Sequence, residues 1–324
     1  MRLVTFFQGA SRTGPSAVGV LVPLGGAVGT HTHVVDLSAA FASYGGTPLY
    51  NGMRQLLELG KPGMERAAAA AASGRWRIPL ADVSIGAPIY NPEKVLCVGM
   101  NYRDHCTEQN FPIPEEPVIF SKFASSIAAS GDPLELDFGF EPGQTKELDW
   151  EVEFVAVVGR GGKDIPKEEA LDYIAGWTVA HDVSARDWQL TGGGATQKKN
   201  AGQWLLGKTM DGYCPIGPSI VTRDEAPAFT EANNLGVKCT INGETVQNSN
   251  TYQFIFTPAD CVAFISRFMT LKPGDMILTG TPGGVGVFRK PPVYLKVGDE
   301  VTCEIEGIGA ITNAVVTKQA RPKL

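Results

Sequence analysis

The most constraining feature of this sequence is a strongly apolar segment that carries two glutamates, WEVEFVAVVG, residues 150–159. Successive side chains of a β-strand point to opposite faces, so Glu151 and Glu153 share one face and Phe154 lies on the other. The run that follows, VAVVG, is typical of a strand covered on both faces, where an unpaired charge is costly. An exposed strand with two solvated glutamates is the alternative, and the apolar run disfavours it. The segment therefore predicts a buried strand whose carboxylates need a partner.

A third carboxylate, Asp182, ends another apolar run, YIAGWTVAHDV. Neighbouring buried carboxylates repel one another unless one stays protonated or a cation joins them. Three carboxylates with open positions for water or substrate suit a hard ion better than Zn²⁺. His181 is expected on the opposite face of its strand and is assigned a structural role. Glu151, Glu153 and Asp182 are thus the predicted metal ligands, for Mg²⁺ or Mn²⁺, with Ca²⁺ as a further alternative.

A candidate general base lies in YRDHCTEQ, which predicts a short helix with His105 and Glu108 three residues apart on one face. A carboxylate beside an imidazole fixes the tautomer of the ring and raises its basicity. The same spacing is equally compatible with an incidental pair on a surface helix. Both interpretations stay open on spacing alone.

The segment GQWLLGKT, residues 202–209, matches the phosphate-binding pattern G-x-x-x-x-G-K-[ST] letter for letter. Such a loop needs a buried strand before it, small residues within it and a helix behind it. Here a polar glycine-rich segment precedes the match, bulky residues fill it, and glycine and prolines in MDGYCPIGP exclude a following helix. The match is interpreted as coincidental. The bulky residues are instead expected to form a packed strand that delivers Lys208 to a buried site.

Composition disfavours several classes of partner. The net charge is −6 and the basic residues are scattered, which disfavours nucleic acid. No run approaches the ~20 apolar residues of a membrane span. Six widely spaced cysteines without a C-x-x-C motif predict reduced thiols and an intracellular location, cytoplasmic or in the mitochondrial matrix. The absence of acidic residues before Asp36 is compatible with a mitochondrial presequence, but the alternation in RLVTFF favours a first β-strand.

The chain divides into two parts that differ in their pattern of predicted helices, strands and turns. Residues 1–90 are expected to form a small N-terminal α+β domain, with strand-like RLVTFF and VGVLVPL followed by helical MRQLLELG and MERAAAAAA. Residues 91–324 are expected to form the main domain, in which short apolar runs alternate with turns such as ING and PGD. Strands outnumber helices and no regular βαβ alternation is present. The predicted fold class is therefore α+β.

Five blocks of sequence together resemble one known family. They are GMNYRDH, DWEVEFVAVVG, AGWTVAHDVSARDWQ, QWLLGKTMDGYCPIGP and ILTGTPGGVG, spread over about residues 92–318. In this order they are similar to the fumarylacetoacetate hydrolase superfamily. The resemblance implies a mixed β-roll fold, a homodimer, and a Mg²⁺ or Mn²⁺ ion held by the three carboxylates identified above.

The resemblance also implies roles for individual residues. His105 and Glu108 match the family's catalytic dyad, which many members carry on a lid-like helix, and Lys208 matches its active-site lysine. Substrate contacts are implied for three further residues: Arg186, Gln189 and Thr281. For the arginine, a structural ion pair with a neighbouring acid is the alternative. The glycine-rich turn GTPGGVG is expected to offer backbone N–H groups to a carboxylate.

In the family, small 2-oxo or 1,3-dicarbonyl acids react through a metal-bound enolate, so the resemblance implies an enzyme with a small dicarboxylate or oxo-acid as partner. A subgroup with similar motifs is associated with keto–enol tautomerisation of oxaloacetate, which makes this isomerase reaction the first expectation. C–C bond hydrolysis of acylpyruvate or fumarylacetoacetate-type substrates and decarboxylation of oxaloacetate are alternatives. A non-catalytic metal-binding scaffold is a further one. The sequence does not separate the three reactions, because they differ in where water sits and which proton is delivered.

Overall fold

The computed structural model describes residues 1–23, 31–43, 48–137, 145–190, 202–225 and 234–317. The strands are β1 (Arg2–Gln8), β2 (Ala17–Val22), β3 (His33–Asp36), β4 (Arg77–Pro79), β5 (Val83–Ile85), β6 (Val95–Gly99), β7 (Val118–Lys122), β8 (Ile127–Ala128), β9 (Leu134–Asp137), β10 (Leu148–Asp149), β11 (Val152–Val158), β12 (Ile174–His181), β13 (Ser184–Ala185), β14 (Cys214–Thr222), β15 (Gly236–Ile241), β16 (Glu244–Asn250), β17 (Met276–Leu278), β18 (Glu300–Ile305) and β19 (Gly309–Thr317). The helices are α1 (Leu37–Ser43), α2 (Gly52–Glu58), α3 (Gly60–Ala72), α4 (Arg103–Gln109), α5 (Arg186–Gln189), α6 (Trp204–Lys208) and α7 (Pro258–Phe268). Among these helices none has the length and apolar character that crossing a membrane requires.

A large mixed β-sheet is the main structural element of the fold. Its strands run in the order β4-β3-β2-β1-β14-β12-β11-β17-β6-β7, with β5 beside β1 and β8 beside β14. Most neighbours are antiparallel, whereas β6 and β17 are parallel. The strand β11 lies inside this sheet between β12 and β17 and is buried at every residue. The buried strand predicted from VEFVAVV is thereby confirmed.

The two faces of β11 pack against different layers. On one face Phe154 stacks on Trp177 of β12, with ring centroids 4.9 Å apart, within the core that a second sheet covers. That second sheet has the order β16-β15-β18-β19-β9. On the other face Val155 and Val157 join the core beneath α1, α2 and α3. Because both faces are covered, charged groups at the end of β11 are shielded from water.

The N-terminal strands extend the same large sheet. In β1, Arg2 and Leu3 pair antiparallel with Val221 and Ile220 of β14. The helices α2 and α3 occur where the sequence predicts them, and their apolar side chains join the core below β11. The boundary between residues 90 and 91 falls between β5 and β6, and the division into two domains stays a prediction. The α+β class is confirmed, and the six cysteines are all free and buried.

Candidate active site

Three carboxylates converge where β11 and β12 meet. Glu151 directly precedes β11, Glu153 lies in β11, and Asp182 directly follows β12. The two strands are antiparallel with Val152 opposite His181, so the start of β11 and the end of β12 lie side by side and bring the three acids together. One carboxylate oxygen from each acid lies within 4.8 Å of the others, and all three acids are buried. The structure thus brings together the three acids that the sequence predicts as a cluster.

Two lysines neutralise part of this cluster. Lys208 Nζ donates to Asp182 Oδ2 at 2.6 Å and to Glu151 Oε2 at 2.8 Å. Lys122 Nζ, from the end of β7, donates to the other oxygen of Asp182 at 2.6 Å. Both lysines are buried, with relative exposures of 1% for Lys208 and 2% for Lys122. Buried charges of this kind persist only when they are paired, so the acids and the lysines depend on each other.

Arg186, from α5, completes the set of buried cations. Its Nε donates to Asp149 Oδ2 at 2.8 Å, and one terminal nitrogen donates to Glu151 Oε1 at 2.6 Å. The other terminal nitrogen donates to Gln189 Oε1 at 2.7 Å. The guanidinium is therefore bound by protein acceptors at all three nitrogens. Arg186 thus forms a structural ion pair with Asp149 and Glu151, and substrate contact through its remaining N–H groups stays a prediction.

The pKa values within the cluster diverge. Burial opposes ionisation of Glu151, but Lys208 and Arg186 outweigh it and hold the pKa of Glu151 well below its usual range. Burial together with Asp182 and Glu151 raises the pKa of Glu153 well above its usual range. Excess negative charge therefore concentrates at Glu153, where a proton or an added cation is required. Burial, reinforced by the charge of a nearby lysine, lowers the pKa of His181 to about 3, so its imidazole is neutral at pH 7.

The glycine-rich turn after β17 binds carboxylates through its backbone. Gly280 N–H donates to Glu153 Oε2 at 2.7 Å, and Gly286 N–H donates to Asp149 Oδ1 at 2.7 Å. A Cβ atom at Gly286 would lie 2.0 Å from the carbonyl oxygen of Val293 and 2.6 Å from Asp149 Oδ1. Only glycine fits there. The turn does present N–H groups to carboxylates, as the sequence suggests, and these carboxylates belong to the protein.

Gln247, from β16 of the second sheet, fixes the backbone between the two glutamates. The N–H of Val152 donates to Gln247 Oε1 at 3.0 Å. Gln247 Nε2 donates to Thr281 Oγ1 at 2.8 Å and to the carbonyl oxygen of Pro282 at 2.9 Å. The hydroxyl of Thr281 in turn donates to the carbonyl oxygen of Val152 at 2.9 Å. Since that hydroxyl gives its single proton to the backbone, Thr281 supports the site in this structure rather than donating into it.

The helix α4 places His105 over the cavity, as predicted. His105 is buried, and its Nδ1 lies 3.5 Å from Glu108 Oε2. Glu108 also accepts the N–H of Gly284 at 3.0 Å. Burial works against ionisation of Glu108, yet the contacts to His105 and Gly284 outweigh it and lower the pKa of Glu108. Glu108 is thus ionised at neutral pH and faces one nitrogen of the imidazole.

These groups surround one cavity of about 270 Å³. All the predicted site residues except Glu108 and Asp182 line it, and those two contact lining residues, His105 and Lys208 respectively. Its upper wall is apolar and includes Phe111, Phe120 and Phe288. A larger cavity of about 630 Å³ lies elsewhere, beside α3, and none of the predicted site residues lines it. The charged floor and the apolar wall suit a small acid with a carbon chain.

The prediction of a packed strand before Lys208 is wrong. Residues 204–208 form the single-turn helix α6, and Trp204, Leu205 and Leu206 are 40%, 48% and 44% exposed. A helical turn lets the lysine reach inward while the residues before it face outward. A Cβ atom at Gly207 would lie 3.0 Å from the carbonyl oxygen of Ala185, so glycine allows α6 to approach this closely. Lys208 ends on carboxylates, which supports the rejection of the phosphate-loop match.

Sequence reasoning missed several residues of the site. Lys122 could have been identified from the sequence, because it ends the largely apolar run VIFSK and does not lie in a polar loop. Asp149, next to the two glutamates in the chain, carried a weaker signal. Gln247 carried none, because a polar residue in an alternating strand looks solvent-facing. Its role depends on contacts with residues about 34 and 95 positions away.

Known proteins match nearly the whole of this chain. The profile of the family described as fumarylacetoacetate (FAA) hydrolase C-terminal matches residues 94–316. The chain is 48% identical to "Oxaloacetate tautomerase fahd2, mitochondrial" of Xenopus laevis over 316 residues, which cover 98% of this chain and 90% of that protein.

Solved structures share the fold. A putative HpcE protein from Mycobacterium smegmatis matches with a TM-score of 0.79 at 36% identity, covering 98% of this chain and 100% of that chain. Maleylpyruvate hydrolase from Sphingobium sp. SYK-6, solved in complex with manganese(II) and pyruvate, matches with a TM-score of 0.72 at 27% identity over the same shares of both chains. The FAA hydrolase fold expected from the sequence is thereby confirmed.

Replacing Gln247 by leucine is expected to destabilise the protein by about 1–3 kcal/mol, because the buried N–H of Val152 loses its acceptor. The free energy of unfolding from urea denaturation measures this effect. Asn248→Leu, at the exposed neighbouring position of β16, is the control and should change the value by less than about 0.5 kcal/mol. Equal stabilities for the two variants would contradict the assigned role of Gln247.

Proposed function

The chain belongs to the fumarylacetoacetate hydrolase family, and on that premise we propose that it is a divalent-metal-dependent oxaloacetate keto–enol tautomerase. The observation that carries the proposal is the buried cluster of Glu151, Glu153 and Asp182 with Lys208 beneath the imidazole of His105. The relative from Xenopus laevis, named an oxaloacetate tautomerase, supports the choice of reaction. Its name also places it in mitochondria, and we propose the same compartment here.

The residues fit a hard divalent cation, for which we propose Mg²⁺ or Mn²⁺. Glu151, Glu153 and Asp182 would hold it, since all three donors are oxygens and the charge at Glu153 calls for one more cation. When bound, such an ion supplies Lewis-acid stabilisation of negative charge on a carbonyl oxygen. The two lysines and Arg186 pair with Asp182 and Glu151 without that ion, and Lys208 and Arg186 hold the pKa of Glu151 low. The ligand set is therefore prepared in advance by the protein's own cations.

Tautomerisation itself needs a base and a positive charge. Conversion of the keto form to the enol removes a proton from C3 and adds one to the oxygen on C2, so no atom leaves the molecule. His105 is positioned to move this proton, because Glu108 faces its other nitrogen and stabilises the imidazolium. Lys208 supplies positive charge at the cavity floor, where negative charge develops on oxygen. The surrounding apolar wall keeps bulk water away from the transferred proton.

Hydrolysis of a C–C bond in an acylpyruvate is the second candidate function. The aromatic wall formed by Phe111, Phe120 and Phe288 favours it, because an acyl tail would contact these rings. This reaction requires water beside the cleaved bond in addition to the same base and cation.

We also propose that the active protein is a homodimer, as expected from the family. Sedimentation equilibrium would test this oligomeric state.

Substitution of Lys208 by methionine is expected to lower kcat for enol-oxaloacetate conversion by roughly 10²–10³, because the positive charge at the cavity floor is lost. The rate is followed by enol absorbance with Mg²⁺, with chelator and without enzyme. Lys238→Met, on the exposed face of β15, is the control and should retain full activity. A wild-type rate no faster than buffer with Mg²⁺ would refute the tautomerase, and turnover of an acylpyruvate instead would favour the second candidate.

Substitution of Glu153 by glutamine is expected to weaken Mg²⁺ binding by more than about 100-fold. Loss of a metal ligand lowers the affinity more than loss of a residue that only hydrogen-bonds to a ligand. Calorimetric titration measures the affinity. Because the pKa of Glu153 is raised, ionisation of this carboxyl opposes folding as pH rises, so the variant should be at least as stable as wild type in chelator at pH 7. Glu304→Gln, exposed on β18, is the control. Undiminished Mg²⁺ affinity in Glu153→Gln would rule out the ligand set.

A further inference from the structure

Gln109, the last residue of α4, contacts the imidazole that the proposed reaction uses. Its Nε2 lies 2.8 Å from His105 Nε2. The two residues are four positions apart on one helix, so their side chains are neighbours on the same face. Both line the cavity, and Phe288 packs against the imidazole with ring centroids 6.0 Å apart. Gln109 therefore covers the ring nitrogen that faces the cavity.

This contact couples the orientation of the Gln109 amide to the position of the ring proton. An amide nitrogen only donates, so His105 Nε2 must accept, and the proton of the neutral ring is then on Nδ1. There it faces Glu108 Oε2 at 3.5 Å. With the amide turned the other way, Nε2 would carry the proton and the lone pair of Nδ1 would face the ionised Glu108, which is repulsive. The charge of Glu108 and the amide of Gln109 thus select the same tautomer.

After proton transfer the requirement reverses. An imidazolium donates from both nitrogens. Glu108 already faces Nδ1–H, and Gln109 can accept from Nε2–H through Oε1 once its amide turns by 180°. A glutamine therefore provides a partner for the ring both before and after it takes the proton, whereas a carboxylate or an apolar side chain fits one state or neither.

We infer that Gln109 is a positioning residue that holds His105 Nε2 unprotonated until substrate displaces the amide, and then turns its amide to accept the new N–H. The inference rests on the proposed function in taking His105 as the group that moves the proton. It assigns a role to a residue outside the His–Glu pair. Within the described part of the chain, the charged groups that face this imidazole are Glu108 on its own helix and Glu151 at the cavity floor, with Arg289 near Glu108.

The test is the tautomer of His105 in the Mg²⁺-supplemented full-length protein without substrate, read from ¹⁵N chemical shifts of labelled histidine. The chain has four histidines, and a His105→Asn spectrum assigns the signal. Wild type should show Nδ1–H with unprotonated Nε2. Gln109→Met removes the donor to Nε2 and leaves Glu108 to favour Nδ1–H, so the Nε2–H fraction should rise from its wild-type value and kcat should fall about five- to tenfold, the value of one hydrogen bond. Gln109→Glu, which only accepts at neutral pH, should leave Nε2 protonated and lower kcat further.

Thr107→Met, on the exposed side of the same helix, controls for effects of substitution on α4 and should match wild type in both measurements. Circular dichroism confirms that each variant is folded. If Gln109→Met leaves both the tautomer and kcat unchanged, the inference is overturned. If the tautomer shifts but wild type turns over neither oxaloacetate nor an acylpyruvate, the proposed function is refuted. The Gln109–His105 contact then stands, but the role of Gln109 in proton transfer is refuted together with the proposed function.

Discussion

A balance of buried charges is the interaction on which this structure depends. Glu151 and Asp182 are shared by Lys208, while Lys122 and Arg186 take the remaining oxygens at 2.6 Å each. Removing one partner from such a network leaves an unpaired charge away from water, which costs about 3–5 kcal/mol. The fold therefore has to deliver these side chains together: β7, β12 and α6 end at this point, and β11 and α5 begin there. The arrangement leaves the surplus negative charge at Glu153.

Backbone hydrogen bonds hold this cluster from the opposite side. The turn after β17 donates N–H groups to Glu153 and Asp149, and Gln247 reaches across from the second sheet to the peptide of Val152. These contacts join two sheets at the segment that carries both glutamates. The charged part of the cavity is thus held by hydrogen bonds from both sheets and the turn. His105, the residue proposed to transfer the proton, is carried separately on α4, a short helix whose His105 and Gln109 line the cavity.

In the proposed mechanism, charge stabilisation and proton transfer are assigned to separate parts of the site. The carboxylates and Lys208 would bind and polarise an oxo acid, a task that tautomerisation, C–C hydrolysis and decarboxylation have in common. The outcome then depends on what surrounds His105. Here Glu108 faces one ring nitrogen and Gln109 the other, at 3.5 and 2.8 Å, and aromatic side chains form the nearby wall. In the proposed tautomerase, the contacts of Glu108 and Gln109 serve the return of a proton to the same molecule, whereas the aromatic wall is the feature that favours the hydrolase.

The sequence by itself determined the buried strand β11, its two same-face glutamates, the α4 pair and the α+β class, because these follow from local periodicity and the cost of burying charge. It also excluded a phosphate loop from neighbouring residues alone. Only the tertiary structure decided that Arg186 and Thr281 are occupied by protein partners, that α6 is a helix, and that Lys122 and Gln247 belong to the site. Hydrogen bonds and ion pairs between residues dozens of positions apart leave no periodic trace in a sequence, since they arise only when distant strands pack together.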